Sequence, residues 1–492
     1  MTRSLECIGV GVLVFAAACA APTGPRGGAP GADTRPLVGR AAVERIVFPP
    51  LRFDPPPAER RTLASGASLL VVEDRTLPLV EVMVRFRGGA SHFPRERLGA
   101  ASAVSALLRG GGTRELPPDS VDALIEYHAW RVGFGAGGTS SFARVGALTR
   151  DVAAAVDLWS EMLREPGFDL DRVEVWRGRE VEAVRRRRDD PNFDAVTLFN
   201  HLLYGDHPVG WVLERADLGP EDLERDRLAA VHAAIYCPGN ATFGVAGDIG
   251  ADSAAALLDR AFADWPPCAG ELAEPPSPSI RSEAGLFVVH RPLAQATIYM
   301  GHAGGVTSRD GEDYFASGIA NAILGGSGLS SRVVRTVRTE LGLAYGAGTV
   351  WTAPRRHEGV FAAFTQTRSD ATAEAVRAVL GVLEGLREEP PERAELERAV
   401  AEMVNGFVFN FGSPARVVSR QMLYEAEGLG ADWLERYVEG IQRVEAADVQ
   451  RVVRARIHPS RMTLLIIGDT TAFDAPLRSL GFGDPVFLAD GG

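Results

Sequence analysis

An internal duplication constrains this chain more than any other feature. Residues 236–248 read YCPGNATFGVAGD and residues 457–469 read IHPSRMTLLIIGD. Each segment predicts a strand that follows a proline and ends in a Gly-Asp turn. The identical pairs, all 221 positions apart, are Pro238 and Pro459, Thr242 and Thr463, Gly247 and Gly468, and Asp248 and Asp469. The chain therefore contains two copies of one unit of about 220 residues.

A second pair of matching segments predicts the class of fold. Residues 142–148 and 359–365 are apolar, strand-like runs, and each is followed by a helical pattern with one apolar face. The apolar positions are Val152, Val156, Trp159 and Leu163 in the first copy and Val376, Val379, Leu380 and Leu383 in the second. Strands followed by helices indicate an α+β fold. We expect two similar lobes that enclose a cavity, each a mainly antiparallel sheet with helices packed on one face.

The duplication and the proline-rich stretches predict the domain boundaries. The first lobe should span residues 58–272 and the second residues 284–480. Residues 273–283, with prolines at 275, 276 and 278, form the predicted linker between them.

Composition excludes one class of function. Acidic residues outnumber basic residues by 64 to 52, which gives a net charge of -12. A general nucleic-acid binder would instead carry a basic surface. The chain has no lysine, so its basic residues are all arginine, and we interpret the run Arg185 to Arg188 as a solvated helix face.

The first residues resemble an export signal. Arg3 precedes an apolar run over residues 8–18, which is too short to span a bilayer, and Cys19 follows. We expect residues 1–19 to be a signal peptide and residues 20–57 to be a Pro/Gly-rich tether. Lipidation of Cys19 and ordinary cleavage nearby both remain open. The protein is thus expected to be exported, as a periplasmic or envelope-anchored lipoprotein of a GC-rich bacterium.

Two cysteines remain in the folded part of the chain, Cys237 and Cys268. A strand after Cys237 and a helix before Cys268 would return the chain to the same end of the sheet. We therefore predict that the two cysteines lie close enough to form a disulfide in an oxidising compartment. The alternative is that both are unpaired small apolar residues.

Four segments in order carry a family resemblance. They are Tyr204-Gly205-Asp206-His207-Pro208-Val209-Gly210, Tyr236-x-Pro238-x-Asn240, the glycine-rich stretch from Leu324 to Arg332, and Arg338-Thr339-Glu340-Leu341-Gly342-Leu343-Ala344-Tyr345. Over roughly residues 60–480 the chain resembles the insulinase/pitrilysin family of zinc peptidases. The resemblance is to the short two-domain bacterial form, which is related to the mitochondrial processing peptidase.

The zinc motif of that family is missing. Active members carry His-x-x-Glu-His on the first helix, where two imidazoles on one face bind zinc and the glutamate activates water. The corresponding positions here lie near Ser102, Ser105 and Ala106, and residues 98–108 contain no His, Glu, Asp or Cys. By this resemblance Glu182, or alternatively Glu180, stands at the third ligand position, either as a remnant of it or simply as an exposed helical glutamate. We expect no metal in this chain, since none of its nine histidines forms a His-x-x-x-His pair.

The second half keeps the other part of the family's active site. The resemblance implies that Arg338 and Tyr345 hold the substrate backbone and the developing oxyanion, since both side chains donate hydrogen bonds. We therefore expect a non-zinc subunit of an exported heterodimeric peptidase, inactive alone. Its partner would carry His-x-x-Glu-His and zinc. Peptides would bind in a large acidic chamber by adding a strand to a sheet edge.

The sequence leaves two alternative functions open. One is a catalytically inactive binding or scaffold protein of the envelope. The other is a stand-alone zinc peptidase with non-standard ligands. The sequence predicts no nucleic acid as partner, and it predicts contact with a membrane only through the lipid anchor.

Overall fold

The computed structural model describes residues 56–489 except Ser282, Asp310 and Ala431. The predicted signal peptide, Cys19 and all but the last two residues of the predicted tether lie outside these described residues. Among the described helices, none has the length and apolar character that crossing a bilayer requires.

Among the described residues, the first half of the chain builds one six-stranded sheet and seven α-helices. Its strands are β1 (Glu59–Thr62), β2 (Ser68–Glu73), β3 (Leu79–Arg87), β4 (Arg131–Ala136), β5 (Ser140–Leu148) and β6 (Ala241–Gly247). Its helices are α1 (Leu98–Gly110), α2 (Pro118–Tyr127), α3 (Val152–Arg164), α4 (Leu170–Arg186), α5 (Pro191–Tyr204), α6 (Arg225–Ile235) and α7 (Ala251–Ala261).

The second half repeats this arrangement. Its strands are β7 (Gly285–His290), β8 (Gln295–Ala303), β9 (Ala344–Trp351), β10 (Val360–Arg368), β11 (Thr463–Gly468) and β12 (Pro485–Phe487). Its helices are α8 (Glu312–Asn321), α9 (Arg332–Val334), α10 (Thr372–Glu388), α11 (Arg393–Val408), α12 (Pro414–Ala426), α13 (Trp433–Gln442) and α14 (Ala446–Arg456). Two π-helical segments, Ala322–Gly326 and Arg335–Glu340, flank α9.

The two sheets share one topology. The strand order is β1-β2-β6-β3-β5-β4 in the first and β12-β7-β11-β8-β10-β9 in the second. The pairs β2–β6 and β7–β11 are parallel. From β6 to the β4 edge and from β11 to the β9 edge, neighbouring strands are antiparallel. Val245 of β6 pairs with Val82, and Ile466, 221 positions later, pairs with Ile298. The predicted α+β fold is confirmed.

The copies differ at one edge. Strand β1 is antiparallel to β2, whereas β12 is parallel to β7. Because β12 comprises Pro485–Phe487, the second sheet extends beyond residue 480, where the second lobe was expected to end.

Each half packs its own helices against one face of its sheet. The first core joins β2, β3, β5 and β6 to α1, α3, α6 and α7, with Trp159 and Phe243 fully buried. The second core joins β7, β8, β10 and β11 to α8, α10 and α14. These are the apolar helix faces that the sequence pattern predicted, and Val156 and Val379 both lie in them.

The opposite face of each sheet is covered by a helix from the other half. Val417, Val418 and Met422 of α12 pack on Leu70 and Val72 of β2. Reciprocally, Ala195, Phe199 and Leu203 of α5 pack on Val289, Val360, Ala362, Leu465 and Ile467 of the second sheet. Each half thus packs its own helices on one face of its sheet, as expected, and lends one further helix to the other half.

This exchange explains the unbroken apolar runs in β2 and β11. A strand with one solvated face alternates apolar and polar residues, whereas a strand buried on both faces does not. Leu69 and Val71 point to the first half's own core, and Leu70 and Val72 point to α12. Each fully buried aliphatic side chain stabilises the fold by roughly 1.5–3 kcal/mol.

Polar contacts fix α5 on the second sheet. Asp194 accepts from Arg291 across 2.5 Å, and both side chains are almost entirely buried. The Tyr299 hydroxyl donates to the Asn192 side-chain oxygen at 2.9 Å. A hydrogen-bonded buried ion pair costs several kcal/mol when one partner is removed, so it locks the position of the helix.

Helix α12 approaches the first sheet most closely at Gly244 of β6. A Cβ atom at this position would lie 2.3 Å from Cγ1 of Val418 and 2.4 Å from Sδ of Met422. Only a glycine lets the helix reach this depth.

We predict that Gly244→Ala lowers the free energy of unfolding by about 1–3 kcal/mol, because an added methyl group in a packed contact forces the helix outward. Urea unfolding followed by circular dichroism measures the change. Gly178→Ala in α4 is the control, because a Cβ there meets nothing within 4 Å. Equal stability of the two variants would contradict this role of Gly244.

A buried histidine links β8 to the segment before β11. The backbone N–H of His458 donates to Nε2 of His302 at 2.9 Å, and Nδ1 of His302 lies 2.6 Å from the carbonyl oxygen of Ala303. This pattern requires the neutral imidazole with its proton on Nδ1. Burial lowers the pKa of His302 to about 4.

We predict a loss of stability in acid that depends on His302. The unfolded chain binds this proton near pH 6.5 and the folded chain only near pH 4, so stability present above pH 6.5 falls by about 2–3 kcal/mol towards pH 4. In His302→Gln, whose side chain does not titrate, urea unfolding across this range should show a correspondingly smaller decline. The same decline in both proteins would contradict the prediction.

Candidate functional site

Helix α1 occupies the place of the family's metal-binding helix. It contacts β4, α4 and α6 through a buried face that includes Ala103, Val104 and Leu107. Ser102 and Ser105 are half-buried and Ala106 is exposed. Serine and alanine side chains do not replace imidazole as zinc ligands. Within residues 56–489, apart from the three gaps, no three His, Cys, Asp or Glu side chains form a potential metal site.

Glu182 on α4 is already engaged. Its carboxylate accepts from Arg185 at 2.7 Å and from Arg186 at 2.5 Å. The hydrogen bond from Arg185, followed by that from Arg186, lowers the pKa of Glu182 to about 2. These arginines belong to the run that was interpreted as a solvated helix face. Arg187 departs from that interpretation, since it donates to the carbonyl oxygen of Leu213.

Two of the segments that carry the family resemblance, those containing His207 and Tyr236, stabilise the fold. Nε2 of His207 lies 2.8 Å from the carbonyl oxygen of Pro276, and Nδ1 accepts from the N–H of Val209 at 3.2 Å. His207 therefore holds the linker between the halves. Tyr236 is buried beside Phe86, with ring centroids 5.0 Å apart.

The cysteines Cys237 and Cys268 are joined in the structure. Their Cα atoms lie 5.0 Å apart, inside the usual range for a disulfide. The bond connects the start of β6 to the segment after α7, the arrangement expected from a strand and a returning helix.

The glycine-rich stretch from Leu324 to Arg332 packs on the edge of the second sheet. A Cβ on Gly325 would lie 2.4 Å from the backbone nitrogen of Thr349 in β9. At its end, Arg332 donates to both oxygens of Glu395 at 2.9 and 2.7 Å. This bidentate, largely buried pair joins α9 to α11. It thereby positions the segment that carries Arg338.

The structure brings Arg338 and Tyr345 together. The Arg338 guanidinium carbon lies 4.8 Å from the centroid of the Tyr345 ring, a cation–π contact. Tyr345 is 83% exposed and Arg338 is half-buried, so neither belongs to the hydrophobic core. Within the described residues, Arg338 has no carboxylate at ion-pair distance. Its donors are therefore available to a ligand.

A β-bulge presents Tyr345. Gly346 pairs with Gln366 and Ala344 pairs with Thr367, so Tyr345 is the extra residue on β9. Bulges redirect side chains and are frequent beside active sites. The spacing of seven residues between Arg338 and Tyr345 thus corresponds to a real juxtaposition at the β9 edge.

A cavity of about 460 Å³ lies between the first sheet and α12. Its charged lining residues are Glu81, Arg85, Arg144 and Arg416. Three guanidinium groups face one carboxylate here, so this wall is cationic. Sequence reasoning missed these arginines. The available signal was the alternation in β3 and β5, which places charged residues opposite an apolar face.

Comparisons with known proteins agree with this fold. Residues 222–403 match a family model described as the peptidase M16 inactive domain. The chain is 26% identical over 291 residues to a Streptomyces coelicolor protein named an uncharacterized zinc protease, covering 57% of this chain and 61% of that relative. It is 20% identical over 401 residues to the Helicobacter pylori protein named non-peptidase homolog YmxG, covering 81% and 90%.

Solved structures share the fold. The peptidase M16 inactive domain from Pseudomonas fluorescens has a TM-score of 0.74 at 24% identity, covering 85% of this chain and 100% of that one. A protease from Helicobacter pylori has a TM-score of 0.73 at 19% identity, covering 84% and 99%.

The fold and the altered first helix define a peptidase-like, two-lobed protein. Residues 222–403 are similar to the inactive-domain model and the solved structures share the fold, so the resemblance to the insulinase family is confirmed.

Proposed function

We propose that this chain is the non-zinc subunit of an exported heterodimeric M16-type peptidase. It binds peptide substrate and supplies Arg338 and Tyr345 to the active site of a partner that carries His-x-x-Glu-His and zinc. The observation that carries the proposal is the exposed Arg338–Tyr345 pair, which coexists with a first helix that has no zinc ligands.

The pair has the chemistry that a peptide carbonyl requires. A guanidinium and a phenol both donate hydrogen bonds, and a donor aimed at a developing oxyanion lowers the barrier to hydrolysis. The cation–π contact and the Arg332–Glu395 ion pair hold the donors before substrate binds. Preorganisation of this kind avoids an ordering cost during the reaction.

Exposed sheet edges provide a route for binding the peptide backbone. Within the part of the chain that the structure describes, strand β4 pairs only with β5 and contacts α1, and its residues are half-buried or exposed. An extended peptide can add to such an edge through main-chain hydrogen bonds. The sequence of the first residues supports export, with the protein tethered at the cell envelope.

We predict that Tyr345→Phe lowers kcat of the reconstituted complex by about 100- to 1,000-fold, because the variant loses one donor and little volume. Arg338→Ala should have a similar effect with an increased KM. Cleavage of a fluorogenic peptide by the complex measures both constants, and size-exclusion chromatography measures assembly.

Two control variants match these changes. Tyr127→Phe removes the hydroxyl of another highly exposed tyrosine, at 84% exposure. Arg335→Ala removes an arginine from the same π-helical segment, where it pairs with Glu340 at 3.2 Å. Both should keep full turnover. If Tyr345→Phe and Arg338→Ala also turn over normally, the scaffold alternative replaces the proposal.

We predict that the purified chain holds less than about 0.1 zinc per molecule and cleaves no peptide alone, because α1 offers no ligand. Elemental analysis after dialysis against zinc gives the metal content. One zinc per chain, lost together with cleavage activity on chelation, would overturn the proposal in favour of a stand-alone peptidase.

A further inference from the structure

The cavity between the first sheet and α12 has a wall of three arginines. In β3 the alternation sends Val82 and Val84 to the lobe's own core, and Glu81 and Arg85 to the cavity. Strand β5 adds Arg144, and α12 adds Arg416. The lining also contains Met83, Met422 and Phe142, whose ring is half exposed. The cavity is therefore cationic and partly apolar.

The three guanidinium groups are not used by the fold as ion pairs. Across the described part of the chain, none of them has a carboxylate oxygen within 4 Å. Arg85 donates to the Ser140 hydroxyl at 3.0 Å, and Arg416 donates to the carbonyl oxygen of Phe409 at 2.8 Å. Burial lowers the pKa of Arg85 despite the opposing charge of Glu427. The lining holds three arginines and one carboxylate, Glu81, so its net charge is positive although the chain has a net charge of -12.

The duplicated half shows that the fold does not require these arginines. Met83 pairs with Arg144 in the first sheet, and the equivalent pair in the second sheet is Tyr299 with Phe364. The same register places Gly301 where the first sheet has Arg85. Tyr299 and Phe364 stack with centroids 5.7 Å apart and leave no charged wall.

The N-termini of the two exchanged helices, α5 and α12, also differ in charge. At α5 the Asp190 carboxylate accepts from the N–H groups of Asn192 and Phe193, so a negative charge already caps the helix. At α12 the neutral Ser413 hydroxyl accepts only from the N–H of Arg416. Ser413 and Ala415 line the cavity, so the positive end of the α12 dipole adds to the guanidinium charges.

We propose that this cavity binds the carboxylates of an acidic peptide. Arginine binds carboxylate in a planar, bidentate geometry, and two or three such contacts select glutamate- or aspartate-rich segments. Phe142 and the two methionines provide contact for neighbouring apolar side chains. The inference deepens the proposed function, on which it rests, by naming the substrate class.

The test measures peptide binding to this chain alone. Fluorescence anisotropy compares three ten-residue fluorescein-labelled peptides that share one phenylalanine. The first has four glutamates and an amidated C-terminus, the second has glutamines instead, and the third is the glutamine peptide with a free C-terminal carboxylate. We expect the glutamate peptide to bind at least tenfold more tightly than the amidated glutamine peptide, and less tightly as salt rises.

Single substitutions assign the binding to the wall. Arg144→Gln and Arg416→Gln alter exposed side chains, and each should weaken glutamate-peptide binding roughly three- to tenfold. Arg150→Gln, an exposed arginine beyond the end of β5, is the charge-matched control and should bind as the unmodified protein does. Circular dichroism confirms that each variant is folded.

The outcomes separate the sources of the carboxylate. Tight binding of the glutamate peptide means that the wall holds acidic side chains and supports the inference. Tight binding of the free-acid glutamine peptide alone means that the wall holds only a peptide terminus, which would overturn the assignment to acidic peptides. Equal binding of all three peptides, or no effect of Arg144→Gln and Arg416→Gln, would overturn it.

This assay is independent of catalysis. If acidic peptides bind but Tyr345→Phe leaves the activity of the complex unchanged, the proposed role of Arg338 and Tyr345 fails and the binding site stands. If the complex needs Tyr345 but the wall binds no acidic peptide, only the substrate class is wrong.

Discussion

The reciprocal packing of one helix from each half on the other half's sheet is the interaction on which the rest of the structure depends. Strands such as β2 and β11 are apolar on both faces, so a half on its own would expose a hydrophobic surface. Helices α12 and α5 bury those surfaces, and Gly244 sets how closely α12 can approach. The exchange also places α12 beside β3 and β5. It therefore creates the arginine-lined cavity, whose wall comes from both halves of the chain.

The two halves share one backbone topology but differ in the side chains that face the exchanged helix. In the second sheet, the ion pair of Asp194 with Arg291 and the stacked pair of Tyr299 with Phe364 fill the space beside α5. In the first sheet, Met83 and Arg144 stand at the positions of Tyr299 and Phe364, and an open cavity remains beside α12. Duplication permits this difference because the register of the strands, once fixed, tolerates different side chains on the face away from the core.

Helix α1 packs normally without any zinc-ligand side chain. Its buried face is made of small and aliphatic residues that pack in the first core, whereas Ser102, Ser105 and Ala106 lie on its more exposed side. Metal ligation and packing use different faces of the helix, so one can change without the other. At the β9 edge, the Arg332–Glu395 pair and the bulge at Tyr345 still hold Arg338 and Tyr345 in contact.

The sequence by itself determined the duplication, the α+β class, the apolar helix faces around Val156 and Val379, and the absence of zinc ligands from residues 98–108. Periodicity and spacing report these features because they are local, or because they repeat at one fixed offset. Only the tertiary structure decided which helix covers which sheet, since α5 and α12 look like ordinary amphipathic helices until their partners are known. It also brought Arg85, Arg144 and Arg416 together, because residues up to 331 positions apart in the chain meet only when the halves exchange helices.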